Sequence, residues 1–488
     1  MERMKVLLIF KDSVAVERMA ICYISSALKK AGNDVKLWIM NVNPVEQLHQ
    51  YMSEYQPDIV GYSSMTGEHI PLMALNQELK EQYDFFSVFG GPHTTFAPSF
   101  IEEETSLDAA CTGEGDLVFP ELCRRMETGE KYWLTPTFDV CHEGKVYRNP
   151  LGDLTPTLEL LDFPDRQILY DADPRLSKLG TKYFMAARGC PYKCSYCFNV
   201  KYNENYKGKG KVVRCRTPRQ IIDEIKWVME RYPLDHVSFL DDLFILKPKE
   251  WLVEFSRLFK EEIGLQWSCT VRANTANLGG ETTISMLSDS GLSWVWMGVE
   301  SGDQKVANEI LVRGLTNNEI TAATQLLHKY NVGTIAQNLI GLPVSNPIET
   351  DLVTLDFNIA LQPSLGHPSI LYPYPGSPIE AYAREHGYLE GEPEYMETTK
   401  RSSMLKFPLE EDKRKLENLH HLFGIIVRFP ILRPYVEFLI SLPLTILYRA
   451  IFYLWYGYCF KIKLAKIKKL HKEISYFTGL FFRMLAKS

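Results

Sequence analysis

Three thiols packed into one short loop constrain this chain more than any other feature. The stretch is Arg188-Gly189-Cys190-Pro191-Tyr192-Lys193-Cys194-Ser195-Tyr196-Cys197-Phe198-Asn199, preceded by the apolar segment Tyr183–Ala187, which has strand character. Cysteine thiolates are the usual ligands of iron–sulfur clusters; four saturate a cubane, and three leave one iron open to a substrate or cofactor. Pro191 and the small residues around it suit a loop that curls its thiols toward one centre. A structural zinc site wants four protein ligands, usually as two separated pairs, and no second cysteine pair follows near by. Three clustered thiols cannot all form disulfides with one another.

The pattern Cys-x3-Cys-x-aromatic-Cys, carried by Cys190, Cys194, Tyr196 and Cys197 after an apolar strand, resembles the signature of radical S-adenosylmethionine (SAM) enzymes. The resemblance implies that the three thiolates hold a [4Fe–4S] cluster. It further implies that the amino-acid end of SAM chelates the fourth iron and that Tyr196 lies against the adenine.

At 488 residues the chain predicts two or three domains. Its formal charge of −6 offers no general basic field, so nucleic acid is not an expected partner. Ten cysteines and a strand rather than a secretory signal at the start predict a reducing, cytoplasmic setting.

Residues 1–140 alternate strand and helix patterns: Val6–Phe10, Ile21–Ala31, Val35–Ile39, Val45–Tyr55, Asp58–Ser64, Phe86–Phe89. Such alternation means βαβ units, a parallel sheet and ligands at the carboxyl ends of its strands. Three turns fall at those ends, containing Ser63 and Ser64, Gly90-Gly91-Pro92-His93, and Gly113-Glu114-Gly115. Their order before the cysteine loop is similar to the cobalamin-binding domain of class B radical SAM enzymes, which implies that these loops hold a cobalamin. The pattern Asp-x-His-x-x-Gly, which gives cobalt a histidine in other cobalamin proteins, is absent. His93 is therefore expected to be a loop residue rather than a cobalt ligand.

Tyr132–Tyr147 reads as short β pieces around the turn His142-Glu143-Gly144-Lys145, residues 141–180 as a linker, and Tyr202–Lys211, rich in Lys, Asn and Gly, as a mobile loop. Residues 181–405 repeat a βα rhythm about six times, which predicts a partial (β/α) barrel with its chemistry at the carboxyl ends of the strands. Asp241 and Asp242, Arg272, Glu300 and Asn338 fall at those ends. Singly each has a plain alternative as a cap, an ion-pair partner or a solvated acid. By the family resemblance, Glu300 binds the SAM ribose hydroxyls, Asp241 or Asp242 faces the SAM ammonium, and Arg272 pairs with its carboxylate. Asn338 resembles part of the turn near adenine.

Residues 406–488 form a helical, unusually apolar tail. No charge-free span reaches the roughly 18 residues of a membrane-crossing helix. Aromatics beside Lys461, Lys463, Lys466, Lys468, Lys469 and Lys472 fit a segment in a membrane interface on the inner face, with a helical cap on the barrel as the equal alternative. The family resemblance implies an α/β enzyme using a [4Fe–4S] cluster, SAM and cobalamin. Such an enzyme takes electrons from an external donor such as flavodoxin or ferredoxin and methylates an unactivated carbon of a small-molecule or lipid-linked substrate. Radical rearrangement or cyclisation without methyl transfer, and a cobalamin or cluster sensor, remain open alternatives.

Overall fold

The computed structural model describes residues 3–12, 16–97, 99–391 and 402–459. The lysines from Lys461 onward lie outside these residues. Two compact units form, Met1–Leu179 with Val200–Arg214, and Gly180–Asn199 with Cys215 onward.

The first unit is built on a seven-stranded sheet: β1 (Lys5–Phe10), β2 (Asp34–Ile39), β3 (Ile59–Ser63), β4 (Phe86–Gly90), β5 (Ala109–Cys111), β6 (Phe138–His142) and β7 (Lys145–Arg148), in the order β2-β1-β3-β4-β5-β6-β7. β1 to β5 are parallel and β6 and β7 close the edge antiparallel. β1 reads Lys-Val-Leu-Leu-Ile-Phe, buried from Val6 to Phe10. Near-continuous apolarity is what a central parallel strand covered on both faces requires. Strand order reverses beside β1, so β1 and β3 flank a topological switch point, where such sheets bind ligands. The segment 141–180, expected as a linker, carries β7, the helix Arg166–Ala172 and a buried ion pair, Arg166–Glu17. Its charged surface sequence hid pairings that are made over more than a hundred residues.

The second unit holds β8 (Thr181–Phe184) and the short strand β9 (Ala187–Arg188), and the chain re-enters it within the short strand β10 (Arg214–Cys215). Then come β11 (His236–Phe239), β12 (Gln266–Val271), β13 (Leu292–Glu300), β14 (Gly333–Ile340) and β15 (Leu365–Ile370). Six of them form one all-parallel sheet in the order β15-β14-β13-β12-β11-β8, open between β8 and β15 among the described residues. Consecutive parallel neighbours joined by helices make the open barrel. Residues such as Val237, Phe239, Trp267, Val295 and Met297 pack outward against Ile221, Ile225, Phe255 and Leu287 of the surrounding helices. The helix Pro218–Arg231 starts at a capping box in which Thr217 and Gln220 exchange hydrogen bonds.

The helix Glu410–Arg428 lies along β15. Gly424 and Gly366 let the two backbones touch: a Cβ at Gly424 would stand 2.7 Å from the Gly366 carbonyl oxygen. Leu416, Leu419, Phe423 and Ile426 then bury against Ile340, Leu355 and Ile370. The helices Val436–Ser441 and Thr445–Tyr458 follow. Among the described residues, no helix is long and apolar enough to cross a membrane.

Candidate active site

The cysteine loop is fastened at its middle. Ser195 donates its backbone N–H to Leu311 O (3.1 Å) and its hydroxyl to Ile310 O (2.6 Å), while Ser195 O accepts from Ile379 N (3.1 Å). Cys194 is buried; Cys190 and Cys197 are partly exposed. Two donors reach the sulfurs: Arg313 Nη1 stands 3.7 Å from Cys194 Sγ, and Asn199 Nδ2 3.7 Å from Cys197 Sγ. Burial pushes the Cys190 thiol up to about 12, so thiolates form there when a metal takes the protons' place. Among the described residues no three His, Cys, Asp or Glu side chains converge on a single ion; a cubane, with an iron for each thiolate, is wider than one ion. Three thiols with a cation and an amide aimed at their sulfurs fit a cluster, whose potential such hydrogen bonds tune.

Arg313 organises a buried polar knot. Besides Cys194, it donates to the Tyr196 hydroxyl (3.0 Å) and to Gly298 O (2.5 Å), and it stands 3.8 Å from the Glu300 carboxylate. Glu300 sits at the end of β13 with φ +67°, a left-handed conformation that a non-glycine residue holds only at a cost. A side chain at Gly298 would run into that carboxylate. Burial raises the Glu300 carboxyl above the usual range, while Arg313, a Tyr196 hydrogen bond and Arg272 pull it back. Arg272 is buried, stacks 3.8 Å over the Tyr192 ring and donates to Arg313 O.

Asp242 also faces the loop, accepting from Gly189 N (3.0 Å) and Asn199 Nδ2 (2.8 Å); burial raises its carboxyl. Asp241 is otherwise engaged, taking Ala186 N (2.7 Å) and the buried Lys247 ammonium. Asn338 is bound to Asn358, Oδ1 accepting at 2.7 Å and Nδ2 donating at 3.2 Å. The fold therefore gathers Cys194, Tyr196, Arg272 and Glu300 around Arg313 and ties Asp242 to the cysteine loop. It turns Asp241 and Asn338 into supports of the strand ends. Sequence reasoning missed Arg313, Lys247 and Asn358, which stand in no short pattern with the residues they hold.

In the first unit the expected loops do meet. Ser64 N donates to Gly90 O (3.0 Å) and His93 N to Ser64 O (3.3 Å). Gly91 has φ +103°, and a Cβ there would stand 2.7 Å from Ser64 O. Ser63 ends β3, and Pro92 opens the short helix Pro92–Phe96. The Ser64 hydroxyl is buried with no hydrogen-bond partner. Tight glycine turns and an orphaned hydroxyl at the switch point fit a polar ligand such as the cobalamin. The His93 ring is turned inward, stacked on His69 (centroids 3.5 Å apart) and bonded to Thr66 (3.2 Å). Desolvation drives His93 down to about 3 and His69 to about 4, so both are neutral.

The third loop is already occupied by protein. The segment expected to be mobile packs on it: Tyr206 OH bonds Glu114 N (3.1 Å) and abuts Gly113, φ +94°. The Glu114 carboxylate takes Arg214 (2.6 and 3.0 Å) and Tyr202 OH (2.9 Å), while Gly115 packs near Ile24 and Cys111. Lysines and glycines between the two tyrosines and Arg214 masked these anchors in the sequence.

Two families match this chain in tandem, the B12 binding domain over residues 8–123 and the radical SAM superfamily over residues 185–355. With both the fold and the cysteine site described, the chain belongs to the class B, cobalamin-dependent radical SAM enzymes. Its cofactors are a [4Fe–4S] cluster, SAM and cobalamin. An uncharacterised methyltransferase of Pyrococcus horikoshii is 24% identical over 78% of this chain and 84% of its own length. The anaerobic magnesium-protoporphyrin IX monomethyl ester cyclase of Rubrivivax gelatinosus is 26% identical over 74% of this chain and 65% of its own length. The structure of the radical SAM methyltransferase TsrM from Kitasatospora setae superposes with a TM-score of 0.62 at 18% identity, covering 79% of this chain and 78% of that one.

Proposed function

We propose that this enzyme methylates an unactivated carbon of a small-molecule or lipid-linked substrate. The observation that carries the reading is the B12 binding domain in tandem with the radical SAM domain, and the Arg313 knot, in which one buried cation joins Cys194, Tyr196 and Glu300, supports its SAM side. When bound, the cluster and SAM supply a 5′-deoxyadenosyl radical, and the cobalamin supplies the methyl group. The protein's own residues bind and orient. Cys190, Cys194 and Cys197 would hold the cluster; the Glu300 carboxylate would accept hydrogen bonds from the two ribose hydroxyls; Arg272 would offer a guanidinium to the SAM carboxylate; and Asp242, tied to the cysteine loop, would face the SAM ammonium. Ser63, Ser64, Gly90, Gly91 and Pro92 line the corrin side, with Gly113, Glu114 and Gly115 as a wall braced by Tyr202, Tyr206 and Arg214. An external one-electron donor and peripheral contact with a membrane complete the reading.

The test is product analysis of anaerobically reconstituted protein. Both 5′-deoxyadenosine and a methylated product are expected, and Cys194→Ala is expected to lose the cluster's visible absorption and all SAM cleavage. SAM cleavage in that variant would overturn the cluster assignment. Cyclisation without methyl transfer is the second reading, favoured by the likeness to the cyclase, and 5′-deoxyadenosine without a methylated product would select it. The inward-turned His93 adds an expectation: the EPR spectrum of the cob(II)alamin form lacks nitrogen coupling from a protein axial ligand.

A further inference from the structure

Among the described residues twenty-two large apolar side chains are exposed, and ten of them lie between Phe429 and Tyr458. So dense a concentration on a water-soluble surface marks an interaction site. The pattern is ordered. In the helix Thr445–Tyr458, Leu447, Ile451, Leu454 and Tyr458 recur at helical spacing on the outside, while Tyr448, Phe452 and, at the C-cap, Cys459 recur on the inside. The preceding segment adds Ile431 (80% exposed), Phe438 (65%) and, at the helix start, Ile446 (75%). Val436 and Ile440 point inward beneath them. The inner stripe is consumed in packing on the barrel, and the outer one is not.

We propose that this outer face, from Phe429 to Tyr458, rests in the headgroup zone of an anionic lipid bilayer. Three observations select lipid over another protein. The face holds a single acid, Glu437, and its arginines are already paired, Arg433 with Asp356 and Arg449 with Glu417. Directly after it the sequence carries six lysines and no acid from Phe460 to Lys472, a run that anionic lipid attracts. Tyrosines stand among the aliphatic side chains, the mixture that interfaces between water and lipid favour. Among the described residues no helix is long and apolar enough to cross: the 14 residues of Thr445–Tyr458 span about 21 Å, against about 30 Å of hydrocarbon. The inference specifies the membrane contact proposed above and is independent of the chemistry.

The test is flotation of the reconstituted full-length enzyme with vesicles of phosphatidylglycerol and phosphatidylcholine, and with phosphatidylcholine alone. Binding is expected to the anionic vesicles, weakening as salt is raised. Ile431→Glu/Phe438→Glu/Ile446→Glu/Leu454→Glu is expected to reduce the bound fraction by at least ~tenfold. The pairs Ile431→Glu/Phe438→Glu and Ile446→Glu/Leu454→Glu are read alongside, in case the fourfold variant does not fold. Met229→Glu/Val253→Glu, exposed elsewhere, is expected to bind as the unaltered enzyme does. If the unaltered enzyme does not float, membrane contact itself is wrong. If it floats and the paired variants float equally well, the contact stands but this face is not the one that makes it. A dimer that falls apart in the variants without any vesicle binding would reassign the face to a second copy of the chain.

Discussion

Arg313 bears on more of the active site than any residue in the cysteine motif. Its guanidinium offsets the burial of Glu300 and donates toward Cys194 and Tyr196. Removing one partner of a buried ion pair costs about 3–5 kcal/mol, because the other charge stays behind uncompensated. Arg313→Ala is therefore expected to protonate Glu300 and abolish measurable SAM binding. Arg313→Lys, keeping the charge without the planar fork, is expected to retain weakened binding; calorimetric titration of the reconstituted enzyme with SAM distinguishes them. The stacked pair His69 and His93 gives a second expectation. Both are neutral in the fold and depressed below the ordinary histidine value, to about 4 and about 3. Below pH 6.5 the unfolded chain takes up protons that the folded one refuses, so the stability present above that pH drains away as pH falls toward 4. Each histidine contributes a slope of up to ~1.4 kcal/mol per pH unit. Denaturant titrations between pH 6.5 and 4.5 should show a shallower loss in His93→Phe.

At the level of elements, the contact between the helix Glu410–Arg428 and β15 depends on two glycines facing each other. Gly424→Val would drive a side chain into the Gly366 carbonyl. Overpacking of this kind costs roughly 1–3 kcal/mol, more than the ~0.5 kcal/mol that valine gains over glycine in helix propensity. The expected outcome is a melting temperature a few degrees lower, read by circular dichroism. Elements with strong local signals were legible in the sequence: the helix Val45–Tyr55 and the strand-end positions of Glu300 and Arg272 follow from apolar runs and turn residues. What was not legible depends on partners distant in sequence. The edge hairpin of β6 and β7 is legible as short β pieces around the turn His142-Glu143-Gly144-Lys145, but its pairing with β5 is set by the sheet rather than by its own composition. Asp241 and Asn338 look like ligands in a motif, and only the fold reveals Lys247 and Asn358 beside them.

Over the whole molecule, the excursion Val200–Arg214 leaves the radical SAM unit just after the last cluster thiol, docks on Gly113 and Glu114, and returns at Cys215. A fragment ending at Leu179 is therefore expected to melt lower than the same unit in the intact enzyme and to be cut faster by protease near Gly113. Extension to Arg214 is expected to restore both properties in part. The same contacts set an order of events during synthesis. An N-terminal domain ordinarily closes while the rest of the chain is still being made. Here the first unit lacks Tyr202, Tyr206 and Arg214 until the ribosome has passed all three cluster cysteines. The cobalamin domain is thus finished only after the thiols of the other cofactor have emerged, while the loop that carries those thiols still waits for Ile310, Leu311 and Ile379 to fasten it.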